Sequence, residues 1–327
     1  MNWQNLDWKA LERMRSLFLT HPRTCYWTSV NDLQAYDMTF AQRIGWKWDA
    51  VLRELQQRGW TPPSRSVMDW GCGSGIAGRR FINSFGPQHF TRLSLWDHSP
   101  LACEFARKQA RSEFTDLEVQ VQSASSLQNT VDSGILLLSH VLNELTDAAR
   151  VEIINLLPRA QAIVWVEPGT YEISRDLIAF REKLLREFRV VAPCTHQAEC
   201  GLLMPANQKH WCHHFAEPPS HVFRMAEWQR FSRELGIDLR SLPYSFLVLE
   251  KKTSMPVKTT PGYSRIIGKP RHYKGYSKIL SCQSEGVEEL MLQKRDVPEL
   301  LRALKKEEAP AIHQWQREGT RIVGVGG

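Results

Sequence analysis

The sequence predicts an α/β fold: a doubly wound, mostly parallel sheet preceded by helices, carrying a cysteine-rich loop insertion and followed by a small β-rich C-terminal appendage. Three observations carry that expectation. Short, largely apolar runs recur at 67–68, 93–96, 134–138 and 162–166, with helical patterns between them at Leu101–Glu113 and Asp147–Leu157. The runs at 134–138 and 162–166 are apolar throughout, as strands covered on both faces are. A glycine-rich turn, Asp69-Trp70-Gly71-Cys72-Gly73-Ser74-Gly75, leaves the first run and opens a helical segment, Ile76–Phe85.

The elements follow in order. Trp3–Leu19 and Ala35–Arg58 read as amphipathic helices, the second stopped by Gly59 ahead of Pro62-Pro63. Tryptophans 3, 8, 27, 46 and 48 crowd this region and are expected in the core. After the glycine turn, Leu93–Trp96 forms a second strand ending in Asp97, and Leu117–Val121 a third, followed by Ser123, Ala124 and Ser125. The fourth strand ends in Ser139-His140-Val141-Leu142-Asn143-Glu144, and the fifth, Ala162–Val166, in Glu167-Pro168-Gly169. A helix is expected over Tyr171–Phe188, an irregular cysteine-rich loop over 193–220, a helix over Ala226–Leu235 stopped by Gly236, and a closing strand at Leu247–Leu249. Beyond Lys251 the apolar runs are short (279–280, 290–292, 322–323), which suits small strands, with a helix at Glu299–Glu308. The expected division is an N-terminal helical segment (1–60), a sheet domain with the cysteine loop (61–250) and a basic appendage (251–327).

Composition narrows the function classes. The chain is 42% hydrophobic and 24% charged, ordinary for a soluble domain. It has no apolar run of the ~18 residues a membrane span needs, so no membrane partner is expected. The first residues carry neither a basic nor an apolar leader, from which a cytoplasmic location is expected. The net charge of +7 is uneven: residues 251–327 hold 15 basic and 8 acidic side chains, leaving 27 of each elsewhere. Between Lys251 and Leu280 lie Lys251, Lys252, Lys258, Arg265, Lys269, Arg271, Lys274 and Lys278, no acid, and Tyr263, Tyr273 and Tyr276. A basic, aromatic-interleaved segment suits a phosphate backbone with unpaired bases, and these eight cations are the candidate RNA contacts.

Two constellations carry chemistry. Three glycines at alternate positions let the backbone turn out of a strand and approach a ligand closely. Asp97, 22 residues beyond Gly75, sits where an acid accepts ribose hydroxyls at the tip of the neighbouring strand. A leading acid with this tight glycine spacing resembles the S-adenosylmethionine (SAM)-dependent methyltransferase superfamily. The resemblance implies SAM contacts from Asp69, Gly71, Cys72, Gly73, Gly75, Asp97, His98, Ser123, Ala124 and His140. The second constellation is Cys194, Cys200, Cys212 and Cys282, the first three in a turn-rich loop. Clustered thiols in a reducing compartment point to metal, and four suit tetrahedral zinc or an iron–sulfur cluster. Histidines 196, 210, 213, 214 and 221 are alternative zinc ligands, so spacing leaves the metal open.

The segments Ala192-Pro193-Cys194-Thr195-His196 to Cys200 and Trp211-Cys212-His213-His214-Phe215 narrow the resemblance. With Val141–Leu145, Val166–Thr170 and Tyr244–Val248, they resemble the methyltransferase-like protein 17 family and its bacterial members, from about residue 30 to the end. That resemblance implies a 4Fe–4S cluster on Cys194, Cys200, Cys212 and Cys282, and as partners the rRNA and proteins of the small ribosomal subunit. A monomer associated with ribosomes is expected.

Methyl transfer itself has less support. Amino-methylating enzymes place Asn/Asp-Pro-Pro-Tyr/Phe after the fourth strand, where this chain has Ser139–Glu144. Pro193-Cys194 mimics a cysteine-nucleophile motif, but it lies beyond the fifth strand among the candidate ligands. His140 and Glu144 are either acid–base groups or caps of the strand end. Three classes therefore stand: a SAM-binding, cluster-bearing factor of the small subunit, an active rRNA methyltransferase, and a small-molecule methyltransferase with structural zinc.

Overall fold

The computed structural model describes residues 3–20, 26–123, 134–252 and 262–326. The chain forms two compact units, one of residues 1–167 and 216–242, the other of 168–215 and 243–327.

In the first unit five parallel strands, β1 (Ser66–Trp70), β2 (Arg92–Trp96), β3 (Glu118–Val121), β4 (Ile135–Ser139) and β5 (Ala162–Pro168), lie in the order β3-β2-β1-β4-β5. Asp69 sits between Leu95 and Leu137 in register. Leu136, Leu137 and Leu138 are wholly buried, as strands covered by helices on both faces must be. The order reverses between β1 and β4, so a crevice opens at the carboxyl ends of those strands. Helices Ile76–Phe85 and Pro100–Glu113 follow β1 and β2.

The N-terminal region differs in detail from the sequence expectation. A short turn, Trp3–Asn5, precedes helix Trp8–Thr20, whose first turn donates from Ala10 N to the Asp7 carboxylate. The single helix expected over Ala35–Arg58 is two, Val30–Met38 and Phe40–Gln57. The break is at Thr39, whose buried hydroxyl donates to Ala35 O at 2.7 Å and so substitutes for backbone continuation. Ser29 and Asp32 form a capping box at the first of these helices. Helix Ala226–Leu235 packs among them, with Phe231 against Phe40 and Trp228 against Trp46 and Trp3.

In the second unit helix Tyr171–Leu184 ends four residues before the expected Phe188. Phe188 instead starts β6 (Phe188–Ala192), which pairs antiparallel with β8 (Leu242–Lys251); β7 (His214–Ala216) also pairs with β8. The C-terminal segment folds as a six-stranded sheet of β9 (Ser264–His272), β10 (Tyr276–Gln283), β11 (Gly286–Gln293), β12 (Ile312–His313), β13 (Trp315–Glu318) and β14 (Arg321–Val325), ordered β12-β9-β10-β11-β14-β13. The parallel β11–β14 pair needs a crossover, supplied by helix Pro298–Lys305. Leu301 and Leu304 of that helix pack on Ile279, Leu290, Leu292 and Ile322. No helix among the described residues is long and apolar enough to cross a membrane.

Candidate functional site

The crevice of the first unit is built from strand ends. Gly71, Gly73 and Gly75 have φ of 71°, 52° and 79°, the left-handed region. A Cβ on Gly71 would lie 2.7 Å from Val141 Cγ1, and one on Gly75 2.9 Å from Ala106 Cβ, so conformation and space both require glycine. Gly71 N and Cys72 N donate to Trp96 O at 2.8 and 2.9 Å, which ties the turn to the end of β2. Gly73 N donates to Asp97 Oδ2 and Ser99 N to Asp97 Oδ1, both at 2.9 Å, with His98 Nδ1 at 3.3 Å. Asp69 is wholly buried, and burial pushes its carboxyl up to about 7. Its Oδ2 accepts from Gly78 N at 2.9 Å, whereas Oδ1 and the neighbouring Ser74 Oγ lack hydrogen-bond partners among the described residues. The Cys72 thiol is raised by its contact with Cys103 and by burial.

The tip of β4 is held from two sides. Trp48 Nε1 donates to Ser139 Oγ at 2.9 Å, and Lys47 Nζ lies 3.4 Å from His140 Nε2. His140 has a left-handed φ of 57°, a conformation worth about 1–3 kcal/mol of strain in a non-glycine residue. Desolvation holds its imidazole well below the usual range, Lys47 adding to the effect, and burial brings the Lys47 amine down to about 7. Glu167, at the end of β5, is wholly buried. Its Oε1 accepts from Val141 N, Leu142 N and Trp165 Nε1 at 3.1, 3.2 and 2.7 Å, and burial pushes the carboxyl up to about 7.

Aromatic side chains cover this crevice. Tyr26 donates to the Glu144 carboxylate at 3.1 and 3.4 Å. Trp27 packs edge-on between Tyr26 and Tyr36, with centroids 4.3 and 4.6 Å away, and its Cζ2 lies 4.0 Å from where a Gly73 Cβ would be. Tyr26, Tyr36, Lys47 and Glu144 were not among the cofactor residues expected from sequence. For Tyr26 and Tyr36 the signal was the aromatic density before residue 50, and Glu144 stood out only as a possible acid–base group or strand-end cap. Ser123 is exposed beyond β3; Ala124 lies outside the described residues.

In the second unit Cys194, Cys200, Cys212 and Cys282 line one small pocket, together with Ile178, Arg181, Phe246 and Ile267. Cys282 comes from β10 and stands opposite Arg265 of β9 and Val287 of β11. The loop is fixed by specific bonds. Cys212 O accepts from Ser174 Oγ and Ser245 Oγ at 2.7 and 2.6 Å. Cys200 N donates to Glu182 Oε1 at 3.2 Å, and Gly201 leaves no room for a Cβ beside the Gly286–Val287 backbone. Cys212 Sγ lies 3.6 Å from His214 Nε2, and Cys282 Sγ 3.6 Å from His196 Nε2. Arg181, 2% exposed, donates to Ala198 O, and Arg265, 4% exposed, to Pro193 O while covering the Phe246 ring. Burial, then neighbouring thiols, pushes the Cys200 thiol up to about 11 and raises Cys212 and Cys282 as well; both arginines oppose the shift at Cys212. Among the described residues no group of three or more His, Cys, Asp and Glu is arranged to hold a single metal ion.

The basic segment divides. Arg265 is buried beside the cysteines, because its place opposite Cys282 turns it inward; this corrects its expected place among exposed RNA contacts. Lys269 pairs with Glu307 at 2.7 Å, and Lys278 (2.8 Å) and Arg271 both pair with Glu289. Lys252 and Lys274 are exposed and Lys251 is half-buried; Lys258 lies outside the described residues. At the β9–β10 hairpin, Tyr273 and Tyr276 stack with centroids 4.7 Å apart and planes 9° from parallel.

Several solved structures resemble the chain distantly. A putative RNA methyltransferase from Pyrococcus horikoshii is 11% identical, with 62% of this chain and 81% of that one covered and a TM-score of 0.39. Magnesium protoporphyrin IX methyltransferase from Synechocystis PCC 6803 is 12% identical, with 76% and 97% covered and a TM-score of 0.39. Likenesses at this level carry no functional argument. No curated protein sequence matches the chain. The sequence profile described as "Mitochondrial small ribosomal subunit Rsm22" matches residues 35–309, most of the length, and the chain therefore belongs to the Rsm22 family.

Proposed function

We infer that this protein is a SAM-binding, methyltransferase-like factor acting on the small ribosomal subunit, through its rRNA and proteins. The observation that carries the reading is the glycine turn in its strand-end setting, within a chain of the Rsm22 family. Gly71, Gly73 and Gly75 would present backbone to the ligand, and Asp97 would accept from a ribose. The unpartnered Asp69 Oδ1 and Ser74 Oγ beside that turn fit a polar ligand. SAM, when bound, supplies an electrophilic methyl group. His98, Cys72, Ser123, Ala124 and His140 complete the proposed contacts. The site is proposed as binding first; no catalytic residue is assigned, since the tip of β4 carries no recognised tetrapeptide.

For the second unit the reading is a 4Fe–4S cluster on Cys194, Cys200, Cys212 and Cys282. The four thiols line one pocket, four thiolates suit a four-iron centre, and buried Arg181 and Arg265 would offset their charge. Such a centre would tie the loop at 193–212 to β10 and make that surface depend on metal loading. Structural zinc is the alternative. Lys251, Lys252, Lys258, Lys269, Arg271, Lys274 and Lys278, with the Tyr273–Tyr276 stack, are the proposed RNA contacts. A cytoplasmic, ribosome-associated monomer is proposed.

The test is co-sedimentation of the full chain with immature small subunits, alongside calorimetric titration with SAM. Binding to both is expected; binding to neither overturns the reading. Methyl incorporation into those subunits would favour the active rRNA methyltransferase.

A further inference from the structure

Two acids, Asp97 and the half-buried Glu144, stand at the strand ends of the first unit. Asp97 is fixed by the glycine turn, and Glu144, just beyond β4, has Tyr26 as its hydrogen-bond partner and feels the Asp97 charge. Tyr26, Trp27 and Tyr36 form a continuous aromatic wall, and Trp27 lies against Gly73 of the turn. Carboxylate and aromatic faces together favour a cation with a weak hydration shell. No basic side chain forms an ion pair with Glu144 among the described residues. The buried Lys47 amine acts on Glu167 and His140.

We propose that Glu144, backed by Tyr26 and the Trp27–Tyr36 wall, is a specificity residue that favours the positively charged sulfonium nucleoside, SAM, over its neutral thioether product, S-adenosylhomocysteine (SAH). The inference rests on the SAM-binding reading above. The two ligands differ at one atom by one methyl and one unit of charge, so nucleoside and amino-acid contacts contribute alike to both. What separates them is the field at the sulfur. A cation there favours the ionised form of Glu144, so binding of SAM, and not of SAH, releases a proton where Glu144 is still protonated in the free protein. Burial pushes the Glu144 carboxyl up to about 8. The groups that face it are Tyr26, Tyr36, Asp97 and Glu167. The α-amino groups of the two ligands titrate alike and cancel in the affinity ratio.

The experiment is calorimetric titration of the full chain with SAM and with SAH between pH 6.5 and 8.5, for wild type, Glu144→Gln, Glu144→Asp and Tyr26→Phe. A one-unit change in the Glu144 pKa on binding the cation corresponds to about tenfold in affinity. The wild-type ratio of SAH to SAM dissociation constants is expected to rise about tenfold across this range. Glu144→Gln should lose most of that rise and weaken SAM alone, Glu144→Asp should restore it, and Tyr26→Phe, which leaves the charge in place, should keep it. A wild-type ratio flat with pH overturns the inference even if Glu144→Gln does not fold. Equal loss of both ligands in Glu144→Gln also overturns it, since that marks a merely structural role. Failure of either ligand to bind any form removes the cofactor reading and this inference with it.

Discussion

Replacing Gly71 by alanine tests the claim that the turn after β1 is shaped for close approach and does not merely tolerate glycine. The backbone there has φ +71°, and an added Cβ meets Val141 Cγ1 at 2.7 Å. A left-handed alanine costs about 1–2 kcal/mol, and moving a packed neighbour adds about 1–3 kcal/mol. Gly59 is the internal control. Its φ is +69° with nothing within 4 Å of the added carbon, so Gly59→Ala should lose only the conformational part. Urea unfolding followed by tryptophan fluorescence, with a common m value, should place Gly71→Ala about 1–3 kcal/mol below Gly59→Ala. SAM affinity should fall in Gly71→Ala alone, because Val141 opens the turn after β4 and is tied through its N–H to Glu167. Equal losses of stability in the two variants would refute the crowding argument.

Other outcomes follow from the same geometry. Burial pushes Asp69 and Glu167 up to about 7, above their unfolded values near 4. The folded chain therefore binds more protons than the unfolded one between about pH 4 and 7. The stability that goes with those protons is complete below pH 4 and is lost as pH rises through 7, at up to about 1.4 kcal/mol per pH unit for each group; Glu167→Gln should flatten the fall in a denaturation series. Glu167→Ala should lose about 3 kcal/mol or more at pH 6, since it leaves the three donors to Oε1 buried without an acceptor. Cys282→Ser should lower the iron content of anaerobically purified protein and its affinity for small subunits together; subunit binding that is unchanged while iron is lost would separate the two. Tyr273→Ala should weaken binding to single-stranded RNA about tenfold in a filter assay with little change in the salt slope, as loss of one stacking partner predicts.

Much of the first unit was legible in sequence because its strands are buried on both faces and read as apolar runs, and because Gly71–Gly75 and Asp97 lie at strand ends. The break at Thr39 was not legible: both flanking segments are amphipathic, and the device that ends the first helix is a hydroxyl-to-carbonyl bond. Strand β6 was hidden because Phe188–Ala192 follows its helix without glycine or proline to mark the boundary. Arg265 belongs by charge to the basic run, but it is buried opposite Cys282 in the sheet, which only the strand register reveals. The same pairing brings Cys282 to the other three thiols across a long stretch of chain, a likeness-based expectation that spacing could not support. Tyr26 and Glu144 were invisible as a pair because 118 residues separate them.

The account stands most directly on the metal content of the second unit. Iron and acid-labile sulfide should be found in equal amounts in the anaerobically purified full chain, and both should be lost when Cys194, Cys200, Cys212 and Cys282 are all changed to serine. Stoichiometric zinc without sulfide, or no metal at all, would contradict it.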